Sequence, residues 1–305
     1  MQIIKNKALL VLFISIVSVS FAAIFITTLL GLYDISPLSI AFYRLLFTTL
    51  LILPVVIFHK KTRDELKSLP LSTLSFMIGI GIILAAHFAL WITSLEFTSV
   101  ASSVLLVTAH PIFVGPISHF FFKERLTLIN TAGLVFSMVG VFILVVGNYG
   151  LGSLTLDTLE GNILAWLGGI AAGLYILGGR KTRKTVSVVS YVFVVYSVGT
   201  VVLFFICLVF NVQLYGFEFY TYEIILVMAI ISGIFGHTFY NWSLEHVRAS
   251  IASVALLGEP LGSSLLAISL PWIQQIPSKY TLIGGAFILL GIYLTAKKKS
   301  FVKKD

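Results

Sequence analysis

The sequence predicts an all-α integral membrane protein with ten transmembrane helices arranged as two inverted five-helix repeats, and three observations carry that expectation. Hydrophobic residues make up 58% of the 305 residues and charged residues only 10%, with a mean hydropathy of +1.06. A water-soluble chain of this size cannot cover its surface with so few polar groups. The apolar residues fall in ten runs, each near the length of about 20 residues that crosses about 30 Å of hydrocarbon. The first five runs also echo the last five at a nearly fixed offset.

The runs, spans 1 to 10, cover residues 8–30, 37–58, 71–93, 98–122, 126–147, 162–179, 186–210, 222–242, 249–272 and 280–296. Span 1 is too long for a signal peptide and lacks a small-residue cleavage site, so it is expected to be retained. With the N-terminus inside, all of the 20 lysines and arginines except Arg44 and Lys279 fall on the inner side. The bias of short loops toward inner positive charge then places both termini in the cytoplasm of a multi-pass cell-membrane protein. These flanking residues account for the net charge of +8 as anchors against anionic lipid, so the charge calls for no nucleic-acid partner. Cys207 is the single cysteine, which excludes an internal disulfide.

The loop 148–160 divides the chain into a first repeat, residues 1–149, and a second, residues 150–305. Ser36, Ser39, Phe42 and Thr49 of span 2 recur as Ser187, Ser190, Phe193 and Thr200 at an offset of 151. Gly133, Phe136 and Gly140 of span 5 recur as Gly284, Phe287 and Gly291 at the same offset. Ser94-Leu95-Glu96 leading to His110-Pro111 recurs as Ser243-Leu244-Glu245 leading to Glu259-Pro260 at 149. Five is odd, so the second copy must enter the membrane from the opposite side. Many secondary transporters are built this way, with the substrate site near the midplane between the copies.

Ser36-Pro37-Leu38 with Arg44, His110-Pro111-Ile112-Phe113 leading to Phe122-Lys123-Glu124-Arg125-Leu126-Thr127, and Leu257-Gly258-Glu259-Pro260 give the chain a family resemblance over nearly its whole length. It resembles the EamA-type proteins of the drug/metabolite transporter superfamily. The resemblance implies a membrane transporter of small metabolites with no enzymatic activity and no cofactor. Two departures stand out: span 1 carries Ser18-Val19-Ser20-Phe21-Ala22 where many members have a Trp-Gly pattern, and the position matching Glu124 is Gln275. The first leaves the substrate unassigned, and the second suggests that the two ends are gated differently.

Ionisable groups inside spans are the sharpest site signal, because each costs about 2.5–3.5 kcal/mol at a helix centre and turns toward a cavity or partner. Glu259 lies about 16 Å into span 9, and Pro260 removes the N–H that would bond the carbonyl of Leu256, predicting a kink beside a carboxylate. His110 and Pro111 hold the matching place in span 4 and would free the carbonyl of Val107. The alternatives are a protonated Glu259 bonded to a neighbouring helix and a packed neutral His110. Arg44 lies about 10 Å below the outer end of span 2, where it either snorkels outward or clamps a substrate anion. His87 and Trp91 share a face of span 3, and His237, Tyr240 and Asn241 share one of span 8. His87, His237 and Asn241 are expected to line a cavity with Trp91, whereas Trp91 and Tyr240 also fit the interfacial aromatic belt, to which Trp242 is assigned. Tyr175 matches an aromatic position common in the family. Gly169 and Gly173 read as a packing face.

No nucleotide-hydrolysis loop, zinc helix, hydrolase elbow or dinucleotide glycine fingerprint is present. The expected function is secondary export of amino acids or similar small polar metabolites by alternating access around a cavity lined by spans 1, 3, 4, 6, 8 and 9. The expected substrate contacts are Arg44, His87, Trp91, His110, Tyr175, His237, Asn241 and Glu259, with kinks at Pro111 and Pro260, no metal, and a proton as coupling ion. Partners are limited to the metabolite and membrane lipid, in a monomer or homodimer. An importer or exchanger of nucleotide sugars or sugar phosphates is the alternative, and an intramembrane metal enzyme built on the same histidines belongs to a different class.

Overall fold

The computed structural model of the chain describes residues 2–33, 35–98, 100–124, 126–150, 159–269 and 278–296. The loop residues 151–158, Arg125, Trp272, Gln275 and the basic C-terminus lie outside the described residues. Among the described residues, ten helices are long and apolar enough to cross a membrane. A spanning segment must satisfy its backbone internally, which in a chain without strand pattern leaves only helices.

Spans 1, 2, 3, 5, 6, 7 and 10 are single helices, Gln2–Leu32, Pro37–Phe58, Leu71–Phe97, Leu128–Tyr149, Leu159–Thr182, Val188–Val209 and Lys279–Ala296. Span 4 is broken into Val100–Val107 and Pro111–Phe121, and span 9 into Ala249–Ala255 and Gly258–Ser269. The expected kinks are therefore interruptions of the helix. Span 8 runs Phe219–Met228, Ala229–Thr238 and Phe239–Ser243, the middle segment being a π-helix. There the Thr238 hydroxyl donates to the carbonyl of Gly233, five residues back, at 3.1 Å. The apolar run gave no sign of that widening. It occurs where Thr48 of span 2 and Val19 of span 1 press on Gly233 and Gly236 so closely that a Cβ on Gly233 would lie 2.3 Å from the Thr48 hydroxyl. A further short helix, Lys60–Ser68, joins spans 2 and 3.

Spans 5 and 10 pack along each other with Gly133 against Gly291 and Gly140 against Gly284, so they run antiparallel. A Cβ on Gly140 would stand 2.6 Å from the Gly284 carbonyl oxygen, and one on Gly284 the same distance from that of Gly140. Spans 2 and 7 are also antiparallel neighbours. Phe42 meets Phe204 at 5.8 Å between ring centroids, and the hydroxyls of Thr49 and Thr200 lie 3.3 Å apart. Span 3 packs along span 6, as span 8 does along span 1, and span 4 touches span 6, as span 9 touches span 1. Each of these neighbour relations thus has its counterpart in the other half, which fits an inverted repeat. Large apolar side chains such as Phe120, Leu128, Val209 and Leu289 stay exposed on the outer surface, where the solvent is hydrocarbon.

Candidate functional site

The two helix breaks form the floor of the site. In span 4, Pro111 has no N–H to bond the carbonyl of Val107, and the imidazole of His110 takes that place with Nδ1 at 3.3 Å. In span 9 the carbonyl of Leu256, expected to stay free beside Pro260, accepts instead from the backbone N–H of Glu259 at 2.9 Å. A tight backbone turn satisfies the oxygen, so the Glu259 carboxylate is left out of the repair.

Around these breaks lies a small cavity of about 60 Å³, several times the roughly 10–15 Å³ that one water centre needs. Arg44, His87, Trp91, His110, Tyr175, His237 and Glu259 all line it, joined by Val19, Val107, Thr108, Ala172, Ile176, Tyr240 and Leu256. Span 2 thus contributes to the cavity through Arg44, beyond the six spans expected from sequence. Arg44 does not snorkel: it is 2% exposed, and its guanidinium carbon lies 4.5 Å from the centre of the Phe88 ring. No acidic side chain pairs with it among the described residues, and its Nη1 has no hydrogen-bond partner. A narrower space behind it is shared with Thr48, Phe88, Tyr196 and His237.

Three pairs of lining residues stand 149 positions apart: Trp91 with Tyr240, Val107 with Leu256, and His110 with Glu259. The first pair was the signal that could have found Tyr240, which by residue type alone fits the interfacial belt equally well. Thr108 gave none, since a hydroxyl in an apolar helix usually bonds back along its own chain, as it does here to Val104 at 2.6 Å.

Local hydrogen bonds fix the character of the walls. Carbonyl oxygens only accept, so the contacts of His87 with Gly168 at 2.9 Å and of His110 with Val107 require the proton on Nδ1 of both rings. In the neutral imidazoles each Nε2 is then an acceptor. The His87 ring stacks on Trp91 at 5.8 Å with the planes 5° apart. Trp91 Nε1, which can only donate, and the Tyr240 hydroxyl have no partners among the described residues. The lining therefore offers unpaired donors from Arg44, Trp91 and Tyr240 together with acceptors from two imidazoles and a carboxylate.

Asn241, expected in the wall, stands behind it. It is fully buried and donates from Nδ2 to the Tyr175 hydroxyl at 2.5 Å and to the His237 carbonyl at 2.7 Å. Among the described residues no three of the His, Cys, Asp and Glu side chains come together as metal ligands would.

The basic end of the molecule is tied shut. Glu124, 7% exposed, pairs with Arg180 at 2.7 Å and accepts from the backbone N–H of Ala249 at 2.9 Å. Arg180 also donates to the carbonyls of Leu244 and Glu245. Arg183 pairs with Glu245 at 2.5 Å and donates to the carbonyls of Asn241 and Val186. Among the described residues, the matching stretch at the other end makes contacts between neutral side chains, Ser94 with Ser103 at 2.7 Å and Thr98 with Asn162 at 2.8 Å.

Comparison with known proteins gives this arrangement relatives. The sequence profile of the EamA-like transporter family matches residues 7–146 and again residues 159–297. An uncharacterized transporter of Archaeoglobus fulgidus is 27% identical over 265 residues, 87% of this chain and 90% of its own length. The uncharacterized transporter YoaV of Bacillus subtilis is 24% identical over 87% of this chain and 88% of its own length. One solved crystal structure superposes with a TM-score of 0.78 over 95% of this chain and 96% of its own, at 17% identity, a likeness of fold alone.

Proposed function

The chain belongs to the EamA-like transporter family, and from that premise we propose that it is a secondary transporter exporting amino acids or similarly small zwitterionic metabolites by alternating access. The observation that carries the proposal is the division of polar character in one small cavity. Arg44, Trp91 and Tyr240 present hydrogen-bond donors without partners, while Nε2 of His87, Nε2 of His110 and the Glu259 carboxylate present acceptors. An α-amino acid supplies the complement, a carboxylate for the guanidinium and an ammonium for the acceptors. In this reading Glu259 exchanges a proton for that ammonium and so couples export to a proton gradient. His237 and Tyr175 complete the wall, and the two repeats rock around the breaks with both termini on the cytoplasmic side.

A second reading, import or exchange of anionic metabolites, draws on the burial of Arg44 at the cavity. The acceptors beside it and the small size of the cavity, about 60 Å³ for water-sized centres, favour the smaller zwitterion over a sugar phosphate or nucleotide sugar. Proteoliposomes loaded in turn with amino acids, sugar phosphates and nucleotide sugars test the choice. Efflux of amino acids that is abolished by Arg44→Ala and by Glu259→Gln supports the proposal. Efflux confined to the phosphorylated compounds, or none from correctly oriented protein, sinks it.

A further inference from the structure

Asn241 joins the wall of the cavity to the ion pair that closes the basic end. Its side-chain amide donates to the Tyr175 hydroxyl at 2.5 Å, and Tyr175 lines the cavity. Its main-chain carbonyl accepts from Nε of Arg183 at 3.1 Å, and the same guanidinium holds Glu245 at 2.5 Å. One residue thus has its side chain on the site and its backbone on the closure.

The surroundings offer the amide a second position. Asn241 Oδ1 and the Tyr191 hydroxyl are both buried without a hydrogen-bond partner among the described residues. Both face Gly179: a Cβ there would lie 3.3 Å from Oδ1 and 3.1 Å from the Tyr191 oxygen. A buried polar group without a partner is costly, so an arrangement that pairs these two has a favourable term of its own. The glycine leaves room for the amide to turn. The position 149 residues before Asn241 is the apolar Ile92, so the first repeat carries no amide at the matching place.

We propose that Asn241 is a two-position coupling residue. With the Arg183–Glu245 pair closed it holds Tyr175 in the cavity wall, and when that pair opens its amide passes to Tyr191 and releases Tyr175. Opening of the basic end and remodelling of the site are then one event. The inference rests on the cavity being the transport site, but its test needs no substrate, so it fails separately from that reading.

The test uses the full chain with Cys207→Ser and Thr108→Cys, which leaves one thiol, at the cavity, for a membrane-impermeant maleimide applied from the basic face of inside-out vesicles. Glu245→Gln opens the pair, and labelling is expected to rise about tenfold, in the usual range of coupling between sites. In the Asn241→Leu background the same substitution is expected to change labelling less than about twofold. Tyr191→Phe, a milder change that removes only a hydroxyl, is expected to cut the rise at least about threefold. An equal rise in all three backgrounds, or no rise with Asn241 and Tyr191 intact, overturns the proposal.

Discussion

The two helix breaks are built alike and repaired differently. Each sits before a proline at a fixed offset, and each interrupts a span near its middle. In span 4 the freed carbonyl of Val107 is met by the imidazole of His110, a side chain spent on structure. In span 9 the freed carbonyl of Leu256 is met by the backbone N–H of Glu259. The same interruption therefore leaves one ionisable group partly committed and the other uncommitted. A helix break does not by itself make a polar site; what matters is which group takes up the lost hydrogen bond.

The largest expected effect comes from cutting what ties the two broken spans together. Glu124, beyond the end of span 4, accepts from the first N–H of span 9 while holding Arg180. Glu124→Ala takes the carboxylate from the largely buried Arg180, which keeps its two carbonyl acceptors, and leaves the buried N–H of Ala249 without a partner, at an expected cost of about 3 kcal/mol, measured as a fall in Tm in lipid nanodiscs. A loss below about 1 kcal/mol would mean that the two spans are held by packing alone.

The next test separates the breaks from each other. Glu259→Gln is expected to cut amino-acid efflux about 100-fold, the worth of one charge-assisted contact of about 2.7 kcal/mol, with little change in Tm. His110→Phe is expected to show the converse emphasis. It orphans the Val107 carbonyl and lowers stability by about 1–3 kcal/mol, and the ratio of efflux loss to stability loss should be well below that of Glu259→Gln. Equal ratios for the two variants would erase the distinction between committed and uncommitted groups.

The smallest effect is a control outside both breaks. Glu65, on the short helix between spans 2 and 3, accepts from the backbone N–H of Ser187 at 2.8 Å, from the Ser190 hydroxyl at 2.6 Å and from the Ser187 hydroxyl. Burial pushes its pKa up, but these hydrogen bonds outweigh that and hold it below its ordinary 4.5. Its contribution is therefore present above the ordinary value and is lost as pH falls through the lowered one. Glu65→Gln should flatten the acid limb of a plot of Tm against pH and leave the Glu259-to-His110 contrast untouched. An unchanged acid limb would count against the hydrogen bonds at the start of span 7.

The ten spans, the recurrence of Gly133 as Gly284 and of Gly140 as Gly291, and the prolines that break spans 4 and 9 were all readable along the chain. Hydropathy, small residues and a missing N–H act locally and leave a trace wherever they occur. Arg44, His87, His110, His237 and Glu259 could be named for the same reason, since an ionisable group in hydrocarbon is costly enough to stand out. What these groups do with their hydrogen bonds was not readable. The withdrawal of Asn241 behind Tyr175 and the π-helical turn of span 8 depend on what another span brings within about 3 Å, and the repair of the two carbonyls depends on how tightly the backbone turns at each break. Sequence fixes which atoms need partners. Only the packing of ten helices decides which partners they find, because a hydrogen bond is made or lost over a fraction of an ångström that no pattern of residue types records.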